Sequence, residues 1–241
     1  MELFFFILIV SLAGFVQGIT GFGFALIASP IALTFLDKSL VVPSLILISS
    51  FLNLFIVRKI PNSVNKKIFL PLIIASLIGM PFGVLILKII PLHLLQILVG
   101  SLSVLFTIAI YFSTFKLQNI KFLTPLSGFL SGVLQTSTAM SGPPVVLLLT
   151  SSNITKDEFR KTLLIYFLSI NIISLILFTG VGIFTLDKIF FALQTIPFVL
   201  LAGYLGHKLT KIIPQSLFRV IVPASVCVTG LYAIYSGFRV Q

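Results

Sequence analysis

The sequence predicts an all-α polytopic membrane protein. It is read as two inverted-topology repeats, each a re-entrant, broken helical hairpin followed by three transmembrane helices. Three observations predict this. The 241 residues are 58% hydrophobic and only 9% charged, with a mean hydropathy of +1.23, which is too apolar for a soluble domain to cover with polar groups. Six apolar runs have the ~20 residues needed to cross ~30 Å of hydrocarbon, and two further runs do not fit. Those two are interrupted by glycine and polar residues, and they align with each other.

The first misfit comes at the start. Residues 2–36 are too long for one helix and too short for two full spans, and "GITGFGF" (18–24) breaks them near the middle. The N-terminal stretch lacks a basic region and continues apolar past any short signal core, so it reads as a structural segment. Ordinary spans follow at about 40–57, 69–87 and 92–114. The second misfit, 122–150, is broken by "LQTSTAMSG" (134–142), and spans at about 163–180, 189–206 and 216–236 close the chain. The whole, 1–241, is one membrane transport domain, with repeat 1 at about 1–115 and repeat 2 at about 122–241.

A broken segment either crosses once or turns back, and loop charge separates the cases. If both segments cross, the sixteen Lys and Arg divide evenly between the two sides. If both turn back, one side holds Arg58, Lys59, Lys66, Lys67, Lys116, Lys121, Lys156, Arg160, Lys161, Lys208, Lys211 and Arg219, and the other only Lys38, Lys88, Lys188 and Arg239. The positive-inside rule favours the uneven split. It gives re-entrant hairpins with both termini outside.

The repeat is visible as "LAGFVQG" (12–18) over "LSGFLSG" (126–132), an offset of 114 that also places Pro30 on Pro144. "KIIP" recurs at 88–91 and 211–214. A unit of one hairpin and three spans crosses an odd number of times, so its second copy enters from the opposite face, as in many secondary transporters.

Broken backbone at membrane depth is costly in lipid and persists where protein or a polar cavity surrounds it. At a hairpin tip the second arm begins, and its free N–H groups carry the positive end of a helix dipole. Two such tips facing each other form a midplane site for an anion without a basic side chain, and no Lys or Arg stands near either break in the sequence. Candidate ligand-binding residues are Gln17, Thr20, Gly21 and Gly23 at the first tip and Gln135, Thr136, Ser137, Thr138 and Ser141 at the second. Asn53 and Asn171 sit at equivalent mid-span places. Gly79 and Gly83 have the small-residue spacing of close helix packing; Gly14, Gly18, Gly128 and Gly132 suit packing or ligand contact.

The net charge of +11 sets topology and does not indicate nucleic acid. All five carboxylates lie at segment ends or loops, which argues against a proton relay through buried acids and against a divalent-cation site. Cys227 is the single cysteine. No catalytic residue, metal ligand set or cofactor is expected, and His93 and His207 read as interfacial. The partners are a small anion and the lipid bilayer, with a homo-oligomer left open.

"GITGFGFALIASP" and "STAMSGPPVVLLL" (137–149) together resemble the motifs of the sulfite exporter TauE/SafE family of membrane permeases, and the similarity runs through the whole chain in length, span pattern and duplicated halves. Many members carry more glycine-rich motifs; here the second tip reads "LQTSTAMSG". The resemblance implies transport of sulfite or an organosulfonate such as sulfoacetate, usually as export. An anion channel on the same scaffold and an accessory subunit without transport are the alternatives.

Overall fold

The computed structural model describes residues 1–58, 60, 64–111, 120–152, 154–209 and 215–239; the side chains of 109–111, 121, 156–157 and 215–225 lie outside that description. Lys59, Lys116 and Lys211 of the basic set, and the side chains of Lys121, Lys156 and Arg219, therefore lie outside the described residues. The described residues form helices and connections without a strand: α1 (Glu2–Thr20), α2 (Phe24–Ala32), α3 (Lys38–Val57), α4 (Lys66–Ile89), α5 (Leu92–Tyr111), α6 (Ile120–Thr138), α7 (Gly142–Thr150), α8 (Lys156–Gly180), α9 (Leu186–Leu193), α10 (Ile196–Leu209) and α11 (Gln215–Arg239). α1, α3, α4 and α8 are each long and apolar enough to cross a bilayer.

Helix ends are set by local chemistry. Asp37 accepts from the Ser39 amide to start α3, Asn65 from Ile68 to start α4, and Thr155 from Glu158 to start α8, satisfying donors that the first turn leaves open. The misfit segments break inside the interruptions the sequence marks, at 21–23 and 139–141, between helices of 19 and 9 residues. One expectation needs correction: the span expected at 189–206 is two helices, α9 and α10, bent by 41°. Pro197 lies just inside the start of α10, a position proline tolerates because first-turn amides have no intrahelical acceptor.

The halves correspond in a different register from the one their sequences suggest. Glu2 and Ile120, Thr20 and Thr138, Phe24 and Gly142, and Ala32 and Thr150 are paired helix ends, each 118 residues apart; the caps Asp37 and Thr155 share the spacing. The offset of 114 is therefore short by four residues, about one helical turn. A slip of one turn keeps every residue on nearly the same face, so small and aromatic identities survive it.

Packing is reciprocal. α4 lies along α6, α1 along α10, α5 along α11 and α3 along α8. α3 is the most buried of the candidate spans, while Phe4, Leu8 and Leu12 of α1, Ile74, Ile78 and Leu85 of α4, and Leu231, Tyr235 and Phe238 of α11 are exposed on the apolar exterior. The seams rest on absent side chains. A Cβ on Gly79 or Gly83 would meet the backbone carbonyls of Phe129 or Val133, and one on Gly18 the carbonyl of Gly203. Gly14, Gly128 and Gly132 abut Val199, Leu72 and Ser76 in the same way, so all six glycines lie in helix–helix seams.

These contacts also give directions. Along α1 and α10, Gly14 meets Val199 and Gly18 meets Gly203 and His207, so the pair is parallel. Along α4 and α6, Gly128 meets Leu72 and Gly132 meets Ser76, again parallel. α5 and α11 are antiparallel, with Gly237 at His93 and Gly230 at Gly100. α3 and α8 are antiparallel, with Lys161 donating to the Val57 carbonyl and Asn171 to Ser49.

Candidate functional site

The two breaks are built alike. α1 ends when Gly21 adopts φ 84 and donates its N–H to the Gln17 carbonyl; α6 ends when Ala139 adopts φ 63 and donates to the Gln135 carbonyl. One residue before each, a threonine folds back: the Phe22 amide donates to Thr20 Oγ1 (2.9 Å), and the Met140 amide to Thr138 Oγ1 (3.2 Å). Left-handed backbone suits glycine at position 21 and is strained for alanine at 139. A second left-handed glycine, Gly23 at φ 98, then starts α2.

Residues from both breaks line one small cavity: Gln17 and Gly23 to Leu26 from the first, Gln135 and Ala139 to Gly142 from the second, with Ser49 of α3 and Phe167 and Asn171 of α8. The space for the centres of water-sized molecules is about 30 Å³, room for about two waters. Gln17, Gly23, Gln135, Ser141 and Asn171 of the sequence candidates are thus brought together.

The other candidates sit elsewhere. Thr20 turns its hydroxyl onto its own backbone, at the Val16 and Phe22 carbonyls. Thr136 donates to the Met80 carbonyl across the α4–α6 seam, Ser137 to Val133 and Thr138 to Leu134. Gly21 and Asn53 stand behind the lining; Asn53 reaches the cavity through Gln17.

A buried amide relay ties the halves. Gln17 Nε2 donates to Asn53 Oδ1 and Gln135 Nε2 to Asn171 Oδ1, each pair 36 residues apart in sequence. Both asparagines then donate to the same atom, Ser49 Oγ, at 3.2 Å. Ser49 escaped the sequence reading. Its signal was its place one turn before Asn53 on the same helix face, and its counterpart 118 residues on is Phe167, so the repeat gave no help.

The breaks differ in their donors. At the start of α2 the amides of Phe24, Ala25 and Leu26 have no acceptor within the helix, and Gly23 supplies no side-chain cap. α7 begins Gly142-Pro143-Pro144, and the prolines have no N–H. The dipole of α7 is present, but its donors are mostly removed. The two tips therefore differ: the open first-turn N–H donors concentrate on α2.

A basic side chain distant in sequence does approach a break in space. Arg160, 9% exposed, packs on the first one, where a Cβ added to Gly21 would lie 3.3 Å from its Nε. α8 brings it there from 139 positions along the chain. Among the described residues no group of three or more His, Cys, Asp or Glu could hold a metal ion.

A family model described as "Sulfite exporter TauE/SafE" matches residues 6–233. No curated protein and no solved structure matches the chain.

Proposed function

This chain belongs to the sulfite exporter TauE/SafE family, and from that premise we propose that it is a secondary permease for a small sulfur-containing oxyanion, sulfite or an organosulfonate, working as an exporter in the cell inner membrane. The family is one of transporters, and the apolar helices make the chain a multi-pass membrane protein. The carrying observation is that both breaks line one small cavity, and that Phe24, Ala25 and Leu26, whose amides have no acceptor within α2, are among its lining residues. Amide donors at a helix N-terminus favour an anion. The amide relay of Gln17, Asn53, Gln135 and Asn171 holds the cavity's polar wall.

Two re-entrant hairpins in repeats of opposite orientation are supported by the packing directions. Lys38 donates to the carbonyls of Lys88 and Ile90, so α3 starts where α4 ends, and α5 returns after a two-residue turn. α6 runs parallel to α4, and α8 antiparallel to α3; α6 and α8 thus run the same way, and α7 must carry the chain back. α10 runs with α1, and Lys188 at the start of α9 reaches Ser39 at the start of α3, so α1 and α3 share a direction and α2 returns between them. Lys38 and Lys188 thereby gather at one end, and Lys161 joins Val57 and Ile60 at the other. With the basic end inside, both termini face outward. The cavity is too small for a sulfonate as it stands, so in this reading its walls move apart to admit cargo, as alternating access requires.

The test is flux from liposomes loaded with sulfite or a sulfonate, together with labelling of single cysteines placed at residues 2, 38 and 188. Saturable release and labelling of all three from one face is expected. Labelling of 2 and 38 from opposite faces would make the first segment a crossing and remove the opposed repeats.

A further inference from the structure

We propose that the cavity selects anions that also carry a hydrogen-bond donor, with Gln135 Oε1 as the acceptor, so that the favoured cargo is a hydroxyl- or ammonium-bearing sulfonate or hydrogensulfite. This rests on the anion reading above.

Gln135 is 1% exposed and lines the cavity. Its nitrogen is committed to Asn171 Oδ1 at 2.7 Å. Its oxygen is buried without a hydrogen-bond partner, a condition native proteins avoid unless a ligand or water answers it. No protein donor reaches it in this arrangement. Asn171 Nδ2 goes to Ser49. The hydroxyls of Thr136, Ser137 and Thr138 go to backbone carbonyls, and Pro143 and Pro144 have no amide hydrogen. In this arrangement Asn171 turns its nitrogen to Ser49 and its oxygen to Gln135, so the Gln135 nitrogen donates there and its oxygen is left over.

The cavity is therefore bipolar. Among its lining residues Phe24, Ala25 and Leu26 bring amides without a helical acceptor, and Gln135 brings an amide oxygen without a donor. A ligand made only of acceptors, such as a fully deprotonated oxyanion, satisfies the first and leaves the second unmet. A ligand with negative oxygens at one end and an O–H or N–H at the other satisfies both. A bare cation suits the lone oxygen but faces the positive end of α2.

The experiment compares ethanesulfonate with 2-hydroxyethanesulfonate, which differ by one hydroxyl, in thermal-shift titrations of the detergent-solubilised full chain, with sulfite as a third probe. The wild type is expected to bind the hydroxylated form about tenfold more tightly, and Gln135→Leu to remove that preference. Because the ligand pair is compared in the unaltered protein, the proposal stays testable if Gln135→Leu does not fold. Equal affinities in the wild type overturn it, as does a preference that survives Gln135→Leu. If sulfite alone shifts the protein, binding that strengthens on acidification supports the proposal, and binding that strengthens at high pH overturns it. Stabilisation by sodium against choline without any anion, lost in Gln135→Leu, gives the oxygen to a cation and overturns it. No shift from any of the three probes overturns the anion reading itself, and the proposal with it.

Discussion

The two helix breaks share one backbone plan and have diverged in chemistry. Each uses a glutamine carbonyl to cap a left-handed residue and a threonine to hold the next turn. The first then opens into amides free to bind. The second removes its donors with two prolines, turns its hydroxyls onto carbonyls and leaves a glutamine oxygen unanswered. The two breaks share the device that breaks a helix inside a membrane, where every freed backbone group needs a partner. They do not share what the break presents to its surroundings. A pair of symmetric tips would suit a symmetric anion; this pair divides donor from acceptor.

The sharpest way to break the contrast is to move the prolines. Ala25 and Leu26 correspond to Pro143 and Pro144, so Ala25→Pro with Leu26→Pro copies a backbone the protein already accepts at the second tip. Each change removes a charge-assisted hydrogen bond worth about 1.5–3 kcal/mol, so anion affinity in titrations should fall by two orders of magnitude or more, with the fold kept. Pro143→Ala with Pro144→Ala should instead strengthen binding.

Ser49→Ala tests the shared atom of the relay. It leaves the Nδ2 groups of Asn53 and Asn171 without their acceptor, at a cost of about 1–3 kcal/mol visible as a lower melting temperature. Phe167, its counterpart, should tolerate replacement by Leu far better.

Exchange of the left-handed residues should give opposite signs. Gly21→Ala forces a Cβ into a positive φ and against Arg160, destabilising by about 1–2 kcal/mol, while Ala139→Gly relieves the same strain and raises the melting temperature.

The smallest effect concerns the caps of α3 and α8. Burial raises the Asp37 carboxyl, but hydrogen bonds from Ser39 and the charges of Lys188 and Lys38 outweigh it and hold the pKa below the ordinary value. A carboxyl depressed in the folded state stabilises above its unfolded pKa and loses that contribution as pH falls through the folded one. Acidification should therefore lower stability slightly through Asp37, an effect that solvent screening at this exposed site keeps small. Asp37→Thr, which copies the Thr155 cap, should flatten that slope in melting curves taken against pH.

Much of this was legible in the chain. Long apolar runs gave the helices, and the glycine and hydroxyl interruptions gave both breaks, because lipid permits so few alternatives. Gln17, Gln135 and Asn171, which line the cavity, stand out in the sequence as polar residues in apolar runs. Thr20, Thr136, Ser137 and Thr138 stood out equally, yet they turn onto nearby carbonyls; a hydroxyl in a helix chooses between its own backbone and a ligand by geometry that composition does not carry. Ser49 and Arg160 were missed for the converse reason: each acts through a neighbour more than a hundred positions away.

The sequence by itself determined a helical membrane protein with two broken segments, since hydrophobic length and backbone hydrogen-bonding leave no other solution. The tertiary structure decided the 118-residue register, the union of both breaks at one cavity and the split of donors from acceptors. A one-turn slip along a helix barely changes a hydrophobic pattern, whereas it moves each hydrogen-bonding atom by about 5 Å, and only contacts across the fold register that distance.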